Sequence, residues 1–376
     1  MNIHYVTGSR ADFGLMSACL TSIQCSSSHN IGLVVTGQHT IAEYGSTEQD
    51  VYNSGLSIVA RIPVFLQGKS GLEMAKAFST QLSGFLDFWT VSRPDLILVL
   101  GDRGEMLAAS IAGVHLGIHI AHIHGGELSG TLDESFRHAI SKLVHFHFAA
   151  SEDSANRLKK LGENPKNIYI LGAPGLVGLM PSGPRELVSP KIRANYKLYG
   201  NKVALLIFHP VVQESHLGQT HIKTIVESLL ERKISTLILR PNSDAGGCEI
   251  SHYLDQLNYP GLVTVISHLA RSEFIECLSG VDFIIGNSSS GIIESASLGL
   301  PCINLGSRQS NRLRNSNTID CEEITKSNVL KAIDDMGDAK CDFSNSYGDG
   351  KADIRIVEIL DKLDMNPSLL SKLNTF

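Results

Sequence analysis

Apolar runs alternate with longer stretches of helical period over almost the whole chain, the pattern of βαβ units around parallel sheets. In the first half, the runs at 3–7, 31–36, 59–62, 96–100, 118–123, 146–150 and 168–171 read as strands. Residues 96–100 are apolar throughout, which marks a central strand covered on both faces. Helical stretches lie between them, among them 72–92, apolar along one face, and 106–116. The pattern breaks at Gly172-Ala173-Pro174-Gly175 and through 181–190, rich in Pro, Ser and Gly, a composition that marks a linker or hinge. It then resumes, with strands expected at 203–208, 236–239, 263–266, 283–285 and 302–305. Helices are expected at 222–232, 249–257, 272–278 and 292–298. These halves predict an α/β fold of two Rossmann-like domains facing across a cleft. The expected boundaries are 1–175 for an N-terminal domain, 176–200 for the hinge and 201–350 for a C-terminal domain. Residues 351–376, with a helix at 354–363, form a tail that fold analogy packs back on the first domain.

Length and composition agree with this picture. A chain of 376 residues is long for one core, and 43% hydrophobic with 19% charged residues suits a soluble globular protein. A net charge of −6 argues against a nucleic-acid partner, so an anionic ligand must be held by local arginines and helix ends. The seven cysteines are scattered without Cys-x-x-Cys spacing and read as reduced thiols of a cytoplasmic protein. The chain starts on a strand without a signal-type run, and no stretch approaches ~18 uninterrupted apolar residues, so no membrane partner is expected.

Candidate chemistry gathers at strand ends. His122-Ile123-His124-Gly125-Gly126-Glu127 is followed by Asp133-Glu134-Ser135-Phe136-Arg137-His138, with a helix expected from Ser135. Within 122–137, three carboxylates, two imidazoles and an arginine around a Gly-Gly, at the carboxyl end of a strand, read as a site rather than a solvated loop. Gly101-Asp102-Arg103-Gly104-Glu105 follows the central strand; it reads as part of the same crevice or as a structural salt bridge. Gly8-Ser9-Arg10-Ala11-Asp12-Phe13-Gly14 follows the first strand without the Gly-x-Gly-x-x-Gly fingerprint of dinucleotide binding. It can receive an anion through backbone N–H groups and Arg10, or equally be a plain turn with Asp12 as helix cap.

In the second half, Asn287-Ser288-Ser289-Ser290-Gly291 joins a strand to a helix and can present N–H groups and hydroxyls to a diphosphate. Glu294, one turn further on, can cap that helix or accept hydrogen bonds from ribose hydroxyls. His209-Pro210 and Arg240-Pro241-Asn242-Ser243-Asp244-Ala245-Gly246 end two other strands. His122 and His124 are read as strand residues and no His-x-x-x-His pair lies on a helix, so no metal site is expected.

Taken in order, these segments resemble the UDP-N-acetylglucosamine 2-epimerase family, and within it the hydrolysing branch that makes N-acetylmannosamine for sialic-acid synthesis. The resemblance runs through 9–14, 101–105, 122–127, 133–138, His209-Pro210, 241–246, 287–294 and Asn304-Leu305-Gly306-Ser307-Arg308-Gln309. It implies the two-domain glycosyltransferase-B-type fold. It also implies catalytic or site-ordering roles for Asp102, Asp133 and Arg137. Arg10, Arg103, His209, Ser288, Ser289, Ser290, Gly291, Glu294 and Arg308 fall where the family holds UDP, with Asn242 beside them. His268 and Leu269 fall where it contacts uracil. Two positions depart from the pattern: many relatives carry glutamate where this chain has His124, and several carry lysine where it has Leu15.

The resemblance implies abstraction of the sugar C2 proton as UDP leaves C1, then addition of water to the glycal, with no metal or nicotinamide cofactor. The expected substrate is UDP-N-acetylglucosamine. A UDP-linked 2,4-diacetamido-trideoxyhexose is the closest rival, and a glycosyltransferase or a non-catalytic nucleotide-sugar sensor are more distant ones. Either His124 or Glu127 replaces the relatives' glutamate; His124 is favoured for proton transfer because imidazole serves as acid or base near neutral pH. The partners expected are the UDP-sugar and further copies of the chain in a dimer or tetramer.

Overall fold

Leu96-Ile97-Leu98-Val99-Leu100 is buried along its whole length, and its side chains divide by parity between two cores. Leu96, Leu98 and Leu100 face one helical layer, while Ile97 and Val99 face the other. In the computed structural model, residues 1–41, 47–65, 71–130, 133–179, 190–241, 246–336 and 343–375 are described. The chain divides into two units. The first comprises Met1–Glu127, Leu132–Val177 and Tyr347–Phe376, and the second Leu128–Thr131 with Gly178–Ser346.

The first unit contains strands β1 (Asn2–Thr7), β2 (Asn30–Val35), β3 (Ser57–Arg61), β4 (Leu96–Leu100), β5 (His119–Ile123), β6 (Phe146–Ala149) and β7 (Ile168–Ile170). Its helices are α1 (Arg10–Cys25), α2 (Glu48–Asn53), α3 (Gly71–Val91), α4 (Gly104–His115), α5 (Asp133–Leu143) and α6 (Glu152–Lys160). The strand order is β3-β2-β1-β4-β5-β6-β7 with every pairing parallel. One face is covered by α1 through Phe13, Met16 and Leu20, and the other by Phe85 and Trp89 of α3 with Met106 of α4.

Strands β8 (Val203–Ile207), β9 (Ser235–Leu239), β10 (Val263–Ile266), β11 (Phe283–Gly286), β12 (Cys302–Leu305) and β13 (Thr318–Cys321) build the second sheet. Its order is β10-β9-β8-β11-β12-β13, again all parallel. The accompanying helices are α7 (Pro190–Tyr196), α8 (Gly218–Glu231), α9 (Gly247–Asp255), α10 (Arg271–Gly280), α11 (Ser289–Ser297) and α12 (Lys326–Asp335). Beyond it, α13 (Ala352–Leu360) belongs to the first unit, where Ala352, Ile356 and Leu360 recur every fourth residue against the α1 side of the core.

Each sheet reverses its strand order once, between β1 and β4 and between β8 and β11. Ligands of open parallel sheets bind beyond the strand ends at such a reversal. Gly286 sits at the second one with φ +138°, where a Cβ would run into the Ile207 carbonyl. Only glycine lets β11 close on β8 there.

Two expectations are redrawn. The stretch 176–200 is not all linker: the units divide between Val177 and Gly178, and α7 docks on the second unit through buried Ile192 and the Tyr196 carbonyl, which accepts from Thr264 at 2.7 Å. The Pro- and Ser-rich residues 181–189 lie outside the described residues. Strand β13 was not expected, because Thr-Ile-Asp-Cys is an edge segment with only Cys321 buried and lacks an apolar run. Among the described residues no helix is long and apolar enough to cross a membrane.

Candidate active site

Strand β5 ends at Ile123, so His124 is not the strand residue expected from sequence. It occupies a turn with φ +66°, a region that costs a side-chain-bearing residue about 1 kcal/mol or more. Its neighbours hold it there. The His124 N–H donates to the Phe148 carbonyl at 3.2 Å, and its own carbonyl accepts from Arg137 Nη1 at 2.8 Å. Its Nδ1 is hydrogen-bonded to the buried Glu127 carboxylate. With the shared proton on Nδ1, the tautomer that suits a carboxylate acceptor, Nε2 is the ring nitrogen left to accept a proton.

Arg137 organises this cluster from α5. Its guanidinium is 3% exposed and donates through Nη2 to Asp102, beyond the end of β4. Burial pulls the Arg137 pKa down, but Asp102, Glu127, Asp133 and Glu134 together raise it above its ordinary value. It is a fixed cation joining two strand ends. Asp133 and Glu134 lie in the first turn of the same helix, half-buried.

His122 has a different character. It is fully buried, with Nε2 donating to the Gly101 carbonyl at 2.7 Å and Nδ1 3.0 Å from the Ser141 hydroxyl. Burial lowers its pKa to about 3. Because the folded value lies below the ordinary 6.5, His122 contributes stability that is complete above pH 6.5 and is lost as pH falls toward 3. Between pH 7.5 and 5 this one group is expected to remove about 2 kcal/mol of unfolding free energy. Urea unfolding of His122→Gln at both pH values checks it: the variant should lose less stability on acidification than the wild type. Equal losses would count against His122 as the titrating group.

At the end of β1 the cap reading of Asp12 holds. Its carboxylate accepts from Gly8 N–H at 3.1 Å, Ser9 N–H at 2.7 Å, the Ser9 hydroxyl at 2.8 Å and the Thr7 hydroxyl. Burial drives the Asp12 pKa up. The Gly8 and Ser9 N–H groups are thus already engaged by that carboxylate. Arg10 Nε lies 3.5 Å from Asp50, and Arg103 Nε donates to Glu105 at 3.0 Å. Glu105 packs against Gly8, where a Cβ would clash with it.

In the second unit the ends of β8 and β11 are clasped by Asn287. Its Oδ1 accepts from His209 N–H at 2.7 Å and its Nδ2 donates to the His209 carbonyl at 2.8 Å. The Asn287 carbonyl in turn accepts from Arg308 at 3.1 Å and Gln309 at 3.0 Å. His209, Ser288 and Arg308 therefore converge at the reversal of this sheet. Ser288 is the N-cap of α11, and Ser289, Ser290 and Gly291 form its first turn. Glu294 is buried and ion-paired with Arg271. His268 and Leu269 follow β10, the latter buried. Asn242 lies outside the described residues. Sequence reasoning passed over Asn287, although it stood inside a quoted motif, and Arg271, which carries no local signal.

Two all-parallel Rossmann-like units, with an acid/base cluster at the strand ends of one and a serine-rich helix start in the other, define an α/β enzyme of the glycosyltransferase-B type. The chain belongs to the UDP-N-acetylglucosamine 2-epimerase family, whose sequence profile matches residues 22–361. It is 41% identical over 382 residues to the UDP-N,N'-diacetylbacillosamine 2-epimerase (hydrolyzing) of Legionella pneumophila, covering 100% of this chain and 99% of that protein. It is 33% identical to the GDP/UDP-N,N'-diacetylbacillosamine 2-epimerase (hydrolyzing) of Campylobacter jejuni, over 84% and 83% of the two chains. To the UDP-N-acetylglucosamine 2-epimerase of Neisseria meningitidis it is 32% identical, over 95% and 94%. The crystal structure of UDP-GlcNAc 2-epimerase from Neisseria meningitidis shares the fold, with a TM-score of 0.77, 20% identity and coverage of 96% of this chain and 100% of that one. The protein is an enzyme acting on a nucleotide sugar.

Proposed function

We propose that the chain is a hydrolysing 2-epimerase of a UDP-linked 2,4-diacetamido-trideoxyhexose, UDP-N,N'-diacetylbacillosamine, rather than of UDP-N-acetylglucosamine. The observation that carries this is the 41% identity, end to end, with the Legionella enzyme of that name, against 32% with the Neisseria UDP-N-acetylglucosamine enzyme. The sialic-acid branch expected from sequence becomes the second reading.

In this reading the C2–H and C1–O bonds of the sugar break and a C1=C2 double bond forms. The proton goes to the protein, and UDP leaves with the electron pair of the C1–O bond. Water then adds its hydroxyl to C1 and a proton to C2 from the opposite face, which frees the 2-epimerised sugar. His124 Nε2 is the base, oriented by the Nδ1–Glu127 bond. Asp102 and Asp133 supply the second proton transfer and shape the charge around it, while Arg137 fixes both strand ends. A C2 proton is weakly acidic, so charge developing on the departing diphosphate must also be offset. Arg10, Arg103, Arg308, His209 and the α11 start at Ser288, Ser289, Ser290 and Gly291 serve that purpose. Glu294 and Arg271 take the ribose, His268 and Leu269 the uracil, with Asn242 completing the UDP set.

Turnover of both UDP-sugars in D₂O tests the proposal. We expect kcat/KM to favour the diacetamido sugar by ~10-fold or more, since a site built for a second amide leaves its polar groups unpaired with the smaller sugar. The product should carry deuterium at C2. Faster turnover of UDP-N-acetylglucosamine would return the assignment to the sialic-acid branch, and a product that keeps its C2 proton would sink the elimination route.

A further inference from the structure

The C-terminal tail ends on the helix that carries Arg137. Lys372 Nζ donates to the carbonyls of Ser141 at 2.8 Å, Lys142 at 3.1 Å and Val144 at 2.7 Å. These lie in and just beyond the last turn of α5, where carbonyls have no partner within the helix and a cation meets the negative end of its dipole. Lys372 is itself held by Glu163, 2.5 Å away, a carboxylate whose side chain is 1% exposed. Lys142 Nζ at 2.7 Å and His147 Nε2 at 2.9 Å complete the ring around Glu163. The tail is also pinned just beyond this contact. Asn374 Oδ1 accepts from Lys142 at 2.6 Å, and Thr375 N–H donates to the Gly162 carbonyl at 2.9 Å.

The opposite end of α5 carries Asp133, its middle carries Arg137, and Ser141 hydrogen-bonds His122. A shift of the helix along its axis would therefore move the guanidinium that holds Asp102 and the His124 carbonyl together. We propose that Lys372 is a positioning residue for the epimerase reaction: by capping α5 and tying it to Glu163, it sets the register of Arg137 and, through it, of His124. Lys372 touches none of the proposed reacting groups, stands more than two hundred residues from α5 in the chain, and belongs to a polar tail with no motif.

This inference rests on the proposed function, and the test separates the two. Lys372→Met keeps an unbranched apolar stem and removes the charge and all three N–H donors. We expect kcat to fall roughly tenfold, the scale set by small misplacements of catalytic groups, with the UDP dissociation constant within about twofold of wild type. Amide exchange in residues 133–143 should speed up by about tenfold in the folded variant. Lys372→Arg, which keeps a cation at the helix end, should recover most of kcat. A Lys372→Met enzyme with wild-type kcat and exchange would overturn the inference, as would parallel losses of kcat and UDP affinity in the Met and Arg variants. If Lys372→Met does not fold, Glu163→Gln takes its place, since it removes the charge that anchors Lys372 and leaves the cap. The same split of kcat from UDP affinity is expected, and an unchanged kcat counts against the proposal. Wild-type protein that turns over neither UDP-sugar would defeat the functional reading alone, because the exchange measurement needs no turnover.

Discussion

Arg137→Met is expected to lower stability by about 3–5 kcal/mol, the range for removing one partner of a buried ion pair. The same change should reduce kcat by at least ~10²-fold, as expected when catalytic groups lose their alignment. The guanidinium is almost wholly buried and does two jobs with two nitrogens, one toward Asp102 and one toward the His124 carbonyl. Without it, Asp102 loses its counter-ion and the carbonyl of a residue held at φ +66° loses its donor. The side chain of Asp102 remains 22% exposed, so water can recover part of its solvation, and the lower end of the stability range is the better expectation. Arg137→Lys separates charge from geometry. A single ammonium keeps the cation but cannot reproduce the fixed fork that spans both acceptors, so stability should return further than kcat. Urea unfolding with steady-state kinetics on the three proteins reads both quantities. An Arg137→Met protein with a wild-type unfolding midpoint would show that the bridge does not hold the two strand ends.

Most of the architecture was legible because parallel strands buried on both faces announce themselves. Residues 96–100 and 302–305 are buried throughout and form strands with the expected bounds, as does the partly buried edge strand at 263–266. What escaped was governed by position in the sheet or by distant partners. Strand β13 is the edge of its sheet, pairs with β12 and leaves Asp320 exposed, so its sequence never needed an apolar run. The helices α6 and α12 are short and polar and bury three residues each, so they offer little apolar content to read. Within the candidate site, the sequence set these residue types beyond strand ends, where the structure also has them, but could not assign their bonds. The turn at 8–14 looked equally like an anion site or a plain turn capped by Asp12 until the donors to that carboxylate were visible. His122 and His124, two residues apart in one motif, separate into a neutral structural imidazole and a turn residue backed by a carboxylate. That difference lies in Gly101, Ser141 and Arg137, which the sequence near the two histidines does not contain.

His124→Ala should lower kcat by ~10²–10⁴, the usual contribution of a positioned acid or base, while UDP affinity stays close to wild type. Alanine accepts a left-handed backbone less readily than histidine and leaves the buried Glu127 without its imidazole, so the unfolding midpoint of the variant is read beside its kcat. His124→Asn provides a control, since asparagine accepts that conformation more readily but cannot take a proton at the same place. It should be at least as stable as His124→Ala and equally slow. Glu127→Gln should cost less, roughly 10-fold to 10²-fold, if Glu127 acts by orienting Nδ1 rather than by touching the sugar. Restoring a carboxylate with His124→Glu sets two acidic groups where Glu127 already meets Nδ1, and like charges at that separation oppose double ionisation. Some activity should return, with its pH profile displaced upward from that of an isolated carboxylate. Measuring kcat and UDP binding for the set assigns the base. Near-normal turnover in His124→Ala, together with a dead Glu127→Gln, would move the proton transfer to Glu127 and leave His124 as the residue that holds it.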